Sequence, residues 1–457
     1  MERHLFNRST LIPDLSAGLV LGIQSIPSGM ANGLLALVNP IYGLHGYMMG
    51  VLTGAFFTSS VFMSVQGTSA MALVIASVPE VAQGGGYPNS ALFTLAFLTG
   101  LIMLAVGLLK LGSLIRFVPN SVMTGFINAV AILIILGQLD DFTGCASIGA
   151  NRVMRTIDLF QKTEQFHIPT LLVGAFTIIL ILTLERTALK SLGMVAAMAV
   201  ASLATPLIGA GRVALVRDIA AIPGALPWPT LPSVAVMPSL ILPAFSLAFV
   251  GLMQGASITQ SVPNPDGRYP NPSGDFVGQG AANLISGLFQ GTAVGGSVSA
   301  TAIVTSAGAR SRFANLTAGM VIASAILLFG RYVGLIAMPA LAGLLIVVGV
   351  RTLKPVQVAM VWKTGLTQDV VMGFTFVSSL ILPLQYAVLL GVGLAVLLYF
   401  IKQSNKITVK AWDVQSGRFP VEGRRLEPSR PLKPPCSFPT VASSMRPRRC
   451  SMRSFPR

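Results

Sequence analysis

The chain has 457 residues, 53% of them hydrophobic and 10% charged, with a mean hydropathy of +0.75. A soluble domain carries about 25% charged residues, so the solvent for most of this surface is lipid. The net charge of +16 would suit a nucleic-acid binder, but it is concentrated at one end, with twelve basic and three acidic residues from Gln403 to Arg457; that placement argues against nucleic acid and for a positive-inside bias with attraction to anionic lipid.

A spanning helix needs about 20 apolar residues, and hydropathy predicts about fourteen such segments, some of them short and broken. In chain order they are 16–36, 44–62, 66–80, 91–111, 120–139, 168–185, 188–208, 237–257, 275–291, 296–308, 313–333, 335–350, 368–384 and 386–402. The first is too long and too polar for a cleaved signal peptide and has no small-residue cleavage site after it. The expected architecture is an all-α polytopic membrane protein. Residues 1–15 are a cytoplasmic N-terminus, 16–208 and 237–402 are two seven-segment repeats, 209–236 connects them, and 403–457 is a basic, Pro-rich tail. With both termini cytoplasmic, the loop Lys and Arg residues fall mostly on the inner side. Cys145 sits in a loop and Cys436 and Cys450 in the tail, with no spacing that suggests a disulfide framework.

Two segments resemble each other. "GTSAMALVIAS" begins at Gly67 and "GSVSATAIVTS" at Gly296, each in the third predicted segment of its half. Seven segments per half invert the second half relative to the first, so these are matching positions of an inverted repeat with interrupted helices at segments 3 and 10. A helix that starts in mid-membrane leaves its first N–H groups unpaired. Such an end is partly positive and suits an anion. Gly67, Thr68, Ser69 and Ala70 form one expected anion-binding end, and Gly296, Ser297, Val298 and Ser299 the other. The competing reading is close helix packing through small residues.

No acidic residue lies centrally in a predicted segment, and Gln254 is the nearest large polar group. This weakens proton or sodium coupling through an intramembrane carboxylate. No phosphate-binding glycine loop and no metal-ligand spacing is present, so neither enzymatic activity nor a cofactor is expected. His4, His45 and His167 lie near predicted ends or loops and read as solvated or interfacial. Trp228, in the Pro-rich "IPGALPWPTLP", reads as an interfacial anchor outside regular helix.

Several stretches in order resemble the SulP family of anion transporters over about residues 10–402: "IPSGMANGLLALVNPIYGLH", "QGTSAMAL", "PNSVMTGFINAVAILIILGQL", "GQGAANLISGLFQGTAVGGSVSATAIVTSAGARS" and "MPALAGLLIVVG". The resemblance implies two inverted seven-helix repeats divided into core and gate domains. It also implies an anion held between the starts of the third and tenth helices, with the first and eighth contributing Ser25, Ser28, Asn32 and Gln254. The implied function is secondary transport of a small inorganic anion, sulfate first, through the lipid bilayer of the plasma (inner) membrane, by a homodimer. Bicarbonate, another monovalent anion or carboxylate, and an uncoupled anion channel are the alternatives; a non-transporting product and a nucleobase–cation symporter are the rivals outside them.

The chain departs from the family pattern at three positions. Gln254 stands where many members have a carboxylate, Ala300 where many have arginine, and Ser28 where many have Gln or Glu. The pocket is therefore formally neutral, which puts cation symport and a preference for a divalent ion in doubt. Most members also continue into a cytoplasmic STAS domain. The segment here after Lys402 is too short for one, reads as disordered, and is expected to be a truncated end.

Overall fold

The structure, a computed structural model, describes residues 8–82, 88–112, 119–149, 151–187, 189, 192–209, 213–219, 225–404, 412–413 and 421–422. Nearly all of it is helix. The first half contains α1 (Arg8–Leu35), α2 (Pro40–Phe57), strand β1 (Val65–Gln66), α3 (Ser69–Ala76), α4 (Pro79–Ala82), α5 (Pro88–Leu108), α6 (Asn120–Gly137), α7 (Leu139–Thr143), α8 (Arg152–Gln161), α9 (Ile168–Leu184) and α10 (Gly193–Gly209). After α11 (Val216–Ile219) the second half contains α12 (Met237–Ser261), α13 (Pro272–Leu288), β2 (Gly295–Gly296), α14 (Val298–Ser306), α15 (Phe313–Val333), α16 (Met338–Thr352), α17 (Pro355–Trp362), α18 (Leu366–Ile381) and α19 (Leu384–Ser404).

Each of the fourteen predicted segments coincides with one of these helices, which makes this an all-α polytopic membrane fold. Among the described residues, Asn89–Leu108, Asn120–Thr143, Val234–Ser261 and Met338–Trp362 are long and apolar enough to cross a membrane by themselves. α3 and α14 are short because each starts after a strand; the two strands pair antiparallel, Val65 opposite Gly296 and Gln66 opposite Gly295.

The halves match locally. α2 and α13 both begin Asn-Pro: Asn39 and Asn271 are N-caps whose side chains accept from Ile41 N and Ser273 N, with proline in the first turn. Packing partners also match. α1 lies on α15 as α12 lies on α5, and α2 and α13 lie against each other. These helices, with α3 and α14, form one group, and α6, α9, α10, α16 and α18 form another; between the groups α3–α6, α1–α16 and α1–α10 make few contacts. Residues 399–457 form a separate unit, within which β3 (Trp412–Asp413) pairs antiparallel with β4 (Val421–Glu422). The expected disorder of the tail falls mostly outside the described residues.

Buried polar side chains tie the two halves together. Asp275, in the first turn of α13, is 0% exposed. Its Oδ1 accepts from Ser59 Oγ (2.8 Å) and Ser60 N (2.7 Å), and its Oδ2 from Ser60 Oγ and Thr259 Oγ1 (both 2.6 Å). Asp14 in α1, also 0% exposed, accepts from Arg310 N at 2.6 Å and from the amide and hydroxyl of Ser311. Both carboxylates lie towards helix ends.

One expectation is overturned. His45 is not solvated: it is 2% exposed within α2, its Nδ1 3.2 Å from Gln290 O. It faces the connection between α13 and α14, where Gly46 leaves no room for a side chain beside Thr292. His167 is half-buried with Nδ1 2.7 Å from Thr170 Oγ1, and His4 lies outside the described residues. Trp228 is exposed in a non-helical stretch.

Candidate functional site

The start of α3 is built by Thr68, the N-cap, whose hydroxyl accepts from Met71 N at 3.4 Å. The start of α14 is built the same way by Ser297, whose hydroxyl accepts from Ala300 N at 3.3 Å. Helix geometry leaves the N–H groups of Ser69 and Ala70, and of Val298 and Ser299, without a carbonyl of their own helix. The β1–β2 pairing holds these two ends together across more than half the sequence.

The N–H groups just before the second end are already spent. Gly296 N donates to Gln279 Oε1 (2.9 Å) and Ser297 N to Ser64 O (3.0 Å). The glycines there answer to packing. A Cβ on Gly295 would lie 2.9 Å from Gly251 Cα, and one on Gly296 2.7 Å from Gly255 Cα, so the α12 backbone rests directly on β2. At Gly67 a Cβ would meet the Tyr47 ring at 2.9 Å. Packing through small residues and an exposed helix start therefore coexist: glycines 295 and 296 serve the first and residues 298 and 299 the second.

α1 and α12 flank both ends. Asn32 bridges to the α3 start: its Nδ2 donates to Tyr47 Oη and to Gly67 O (3.3 Å), and its Oδ1 accepts from Ser69 Oγ at 2.9 Å. Ser25 donates to Leu21 O and accepts from Gln66 Nε2, both at 2.7 Å, which ties α1 to β1. Ser28 donates to Gln24 O at 3.0 Å. Ser297 Oγ lies 3.3 Å from Ser299 Oγ; Ser299 and Val298 are exposed while Ala70 is buried. Gln254 on α12 and Gln24 on α1 each hold a buried Oε1 with no hydrogen-bond partner among the described residues. Every one of these side chains is formally neutral. A narrow cleft lined by Asn32, Ala36, Gly67, Thr68, Thr292 and Ala293 has a volume of about 10 Å³, room for one water.

Sequence reasoning missed Tyr47, Gln66 and Gln279, which shape both helix starts from other elements. No local signal marks them, since each acts on a residue distant in sequence.

The family model described as the sulfate permease family matches residues 11–375. A probable sulfate transporter 4.2 of Arabidopsis thaliana is 26% identical over 407 residues, covering 86% of this chain and 59% of its own length. A putative sulfate transporter YbaR of Bacillus subtilis is 29% identical over 417 residues, covering 90% of this chain and 82% of its own length. The chain thus spans less than two thirds of the plant relative. Among solved structures, murine Solute Carrier 26 family member A9, an anion transporter in the inward-facing state, superposes with a TM-score of 0.81 at 20% identity, over 91% of this chain and 72% of that one. The transmembrane domain of a cyanobacterium bicarbonate transporter, BicA, gives 0.71 at 22% identity, over 86% and 98%. At these identities the likeness shows the fold.

Proposed function

The chain belongs to the sulfate permease family, and from that premise we propose that it carries a small inorganic anion, sulfate first, across a membrane by alternating access, with both termini cytoplasmic. The observation that carries the reading is the pair of helix starts held side by side by β1 and β2. The N–H groups of Ser69, Ala70, Val298 and Ser299 and the hydroxyls of Ser69 and Ser299 would bind the anion as donors without formal charge. Asn32 orients Ser69, and Thr68 and Ser297 cap the two helices. Gly67 leaves room for the Tyr47 ring, and Gly296 admits the close approach of the α12 backbone at Gly255. The helices that carry the site form the core group, and the sparse contacts with the gate group provide the plane along which the core moves.

A second reading, hydrogencarbonate, is favoured by one observation. The partnerless Oε1 of Gln254 and of Gln24 accept hydrogen bonds, and hydrogencarbonate keeps an O–H to donate where sulfate has none. Relatives named as sulfate transporters and a structural neighbour named as a bicarbonate transporter support the two readings respectively. The test is uptake of radiolabelled sulfate into proteoliposomes, with unlabelled sulfate, bicarbonate, chloride, nitrate and fumarate as competitors, with and without a pH or sodium gradient. Saturable uptake blocked most by sulfate supports the first reading. Stronger block by bicarbonate moves the assignment to the second. No uptake of labelled sulfate by folded protein refutes the first reading, and no uptake of labelled bicarbonate in the same vesicles refutes the second.

A further inference from the structure

Arg152 opens α8, where Asn151 caps the helix by accepting from Met154 N at 2.8 Å. Among the described residues no carboxylate lies within 4.0 Å of its guanidinium, whereas Arg155 pairs with Asp140, Lys162 with Asp158 and Arg351 with Glu185. Arg152 instead donates to two backbone carbonyls: Nη1 to Leu133 O near the end of α6, and Nη2 to Leu35 O, both at 3.3 Å. Leu35 is the last residue of α1, so its carbonyl is one of those the helix leaves unpaired at its negative end. Burial and the neighbouring Arg155 lower the Arg152 pKa to about 10, which leaves the charge in place at neutral pH.

The two carbonyls belong to different groups of packed helices. α1 lies in the core group and α6 in the gate group. Asn32, which orients Ser69, is one turn before Leu35, and Ala36 follows it and lines the cleft with Asn32, Gly67 and Thr68. The guanidinium also lies on the last turn of α6, where a Cβ on Gly137 would be 3.1 Å from Nη1. Both hydrogen bonds are long for charged donors, as suits a contact made and broken in each cycle. We propose that Arg152 is a positioning residue that latches the end of core helix α1 to gate helix α6, and that the Arg152–Leu35 bond must break for the cleft to open on the α8 side. The inference rests on the alternating-access reading for its role in transport; its structural part can be tested without transport.

The test uses the full chain with Cys145, Cys436 and Cys450 replaced by serine. Ala36→Cys reports opening of the cleft to a membrane-impermeant maleimide added from the α8 side. Ile148→Cys, at an exposed position before α8, reports that the face is intact. Arg152→Gln is expected to raise the labelling rate at position 36 by about tenfold, the value of one charged hydrogen bond, with the rate at 148 unchanged. An unchanged rate at position 36 overturns the latch. Arg152→Lys keeps the charge but loses the fork; it serves if Arg152→Gln fails to insert, and an unchanged rate there overturns the proposal equally. In proteoliposomes, loss of the latch favours the state open on the α8 side. The KM for sulfate then falls on that side and rises on the other, while a lower rate with both KM values unchanged overturns the role in transport. If wild-type protein takes up no anion, the transport reading fails and the labelling result still decides the latch.

Discussion

Gly296 and Gly373 make opposite uses of the same residue. At Gly296 a Cβ would meet Gly255 Cα at 2.7 Å, backbone against backbone, with no flexible side chain to yield. Gly296→Ala is expected to destabilise the protein by about 1–3 kcal/mol through overpacking, seen as a lower melting temperature in detergent. At Gly373, in α18, nothing among the described residues lies within 4 Å of an added Cβ. Gly373→Ala is expected to be neutral or to stabilise by up to about 1 kcal/mol from helix propensity. Equal melting of the two variants would contradict the packing argument. Asp275 shows a further use of a single residue. It takes four donors from the approach to α3 and from α12, and so fixes the approach to one half's short helix from the second helix of the other half.

The two short helices are alike in capping and in the strand before them, but unlike in exposure. α14 presents Val298 and Ser299 to open space, whereas α3 buries Ala70 and ties Ser69 to Asn32. The α14 end is therefore the more accessible donor set. Ser299→Leu removes the hydroxyl and covers the adjoining N–H groups; it is expected to lower anion uptake at least about tenfold while the protein still inserts. Uptake at the wild-type rate, measured per inserted molecule, would refute the site. The element scale also explains the segment lengths. α3 and α14 are too short to span alone, and an antiparallel strand pair buried among other helices satisfies the backbone that a longer helix would have satisfied itself.

Across the molecule, the inverted arrangement puts the connection after α6 and the connection after α16 on opposite faces. α16 runs antiparallel to α6: Gly349 lies beside Ile135, and Lys354 N donates to Asn128 Oδ1 at 2.9 Å. Ile148, before α8, and Val356, in α17, are both exposed. With cytoplasmic termini, a single cysteine at 148 is expected to react with an impermeant reagent in intact cells, and one at 356 only after permeabilisation. Labelling of both from outside would break the inverted topology. The same inversion relates the ties between the halves: Asp275 of α13 holds the approach to α3 on one face, and His45 of α2 meets the approach to α14 on the other.

The sequence by itself determined where the long apolar helices lie and their order, because each needs a local run of apolar residues and short polar breaks end it; the short helices α4, α7, α8, α11 and α17 lie outside the predicted segments. It also determined that residues 67–70 and 296–299 are special, because glycine and hydroxyls inside an apolar run are a local departure. The Asn-Pro opening shared by α2 and α13 is a further local sign of the repeat. The tertiary structure alone decided that β1 pairs with β2, that Gly295 and Gly296 answer to the α12 backbone, that His45 and two aspartates are buried, and that Arg152 bonds the ends of α1 and α6. Each of these joins groups far apart in the chain, and hydropathy and capping carry no information about a partner that distant.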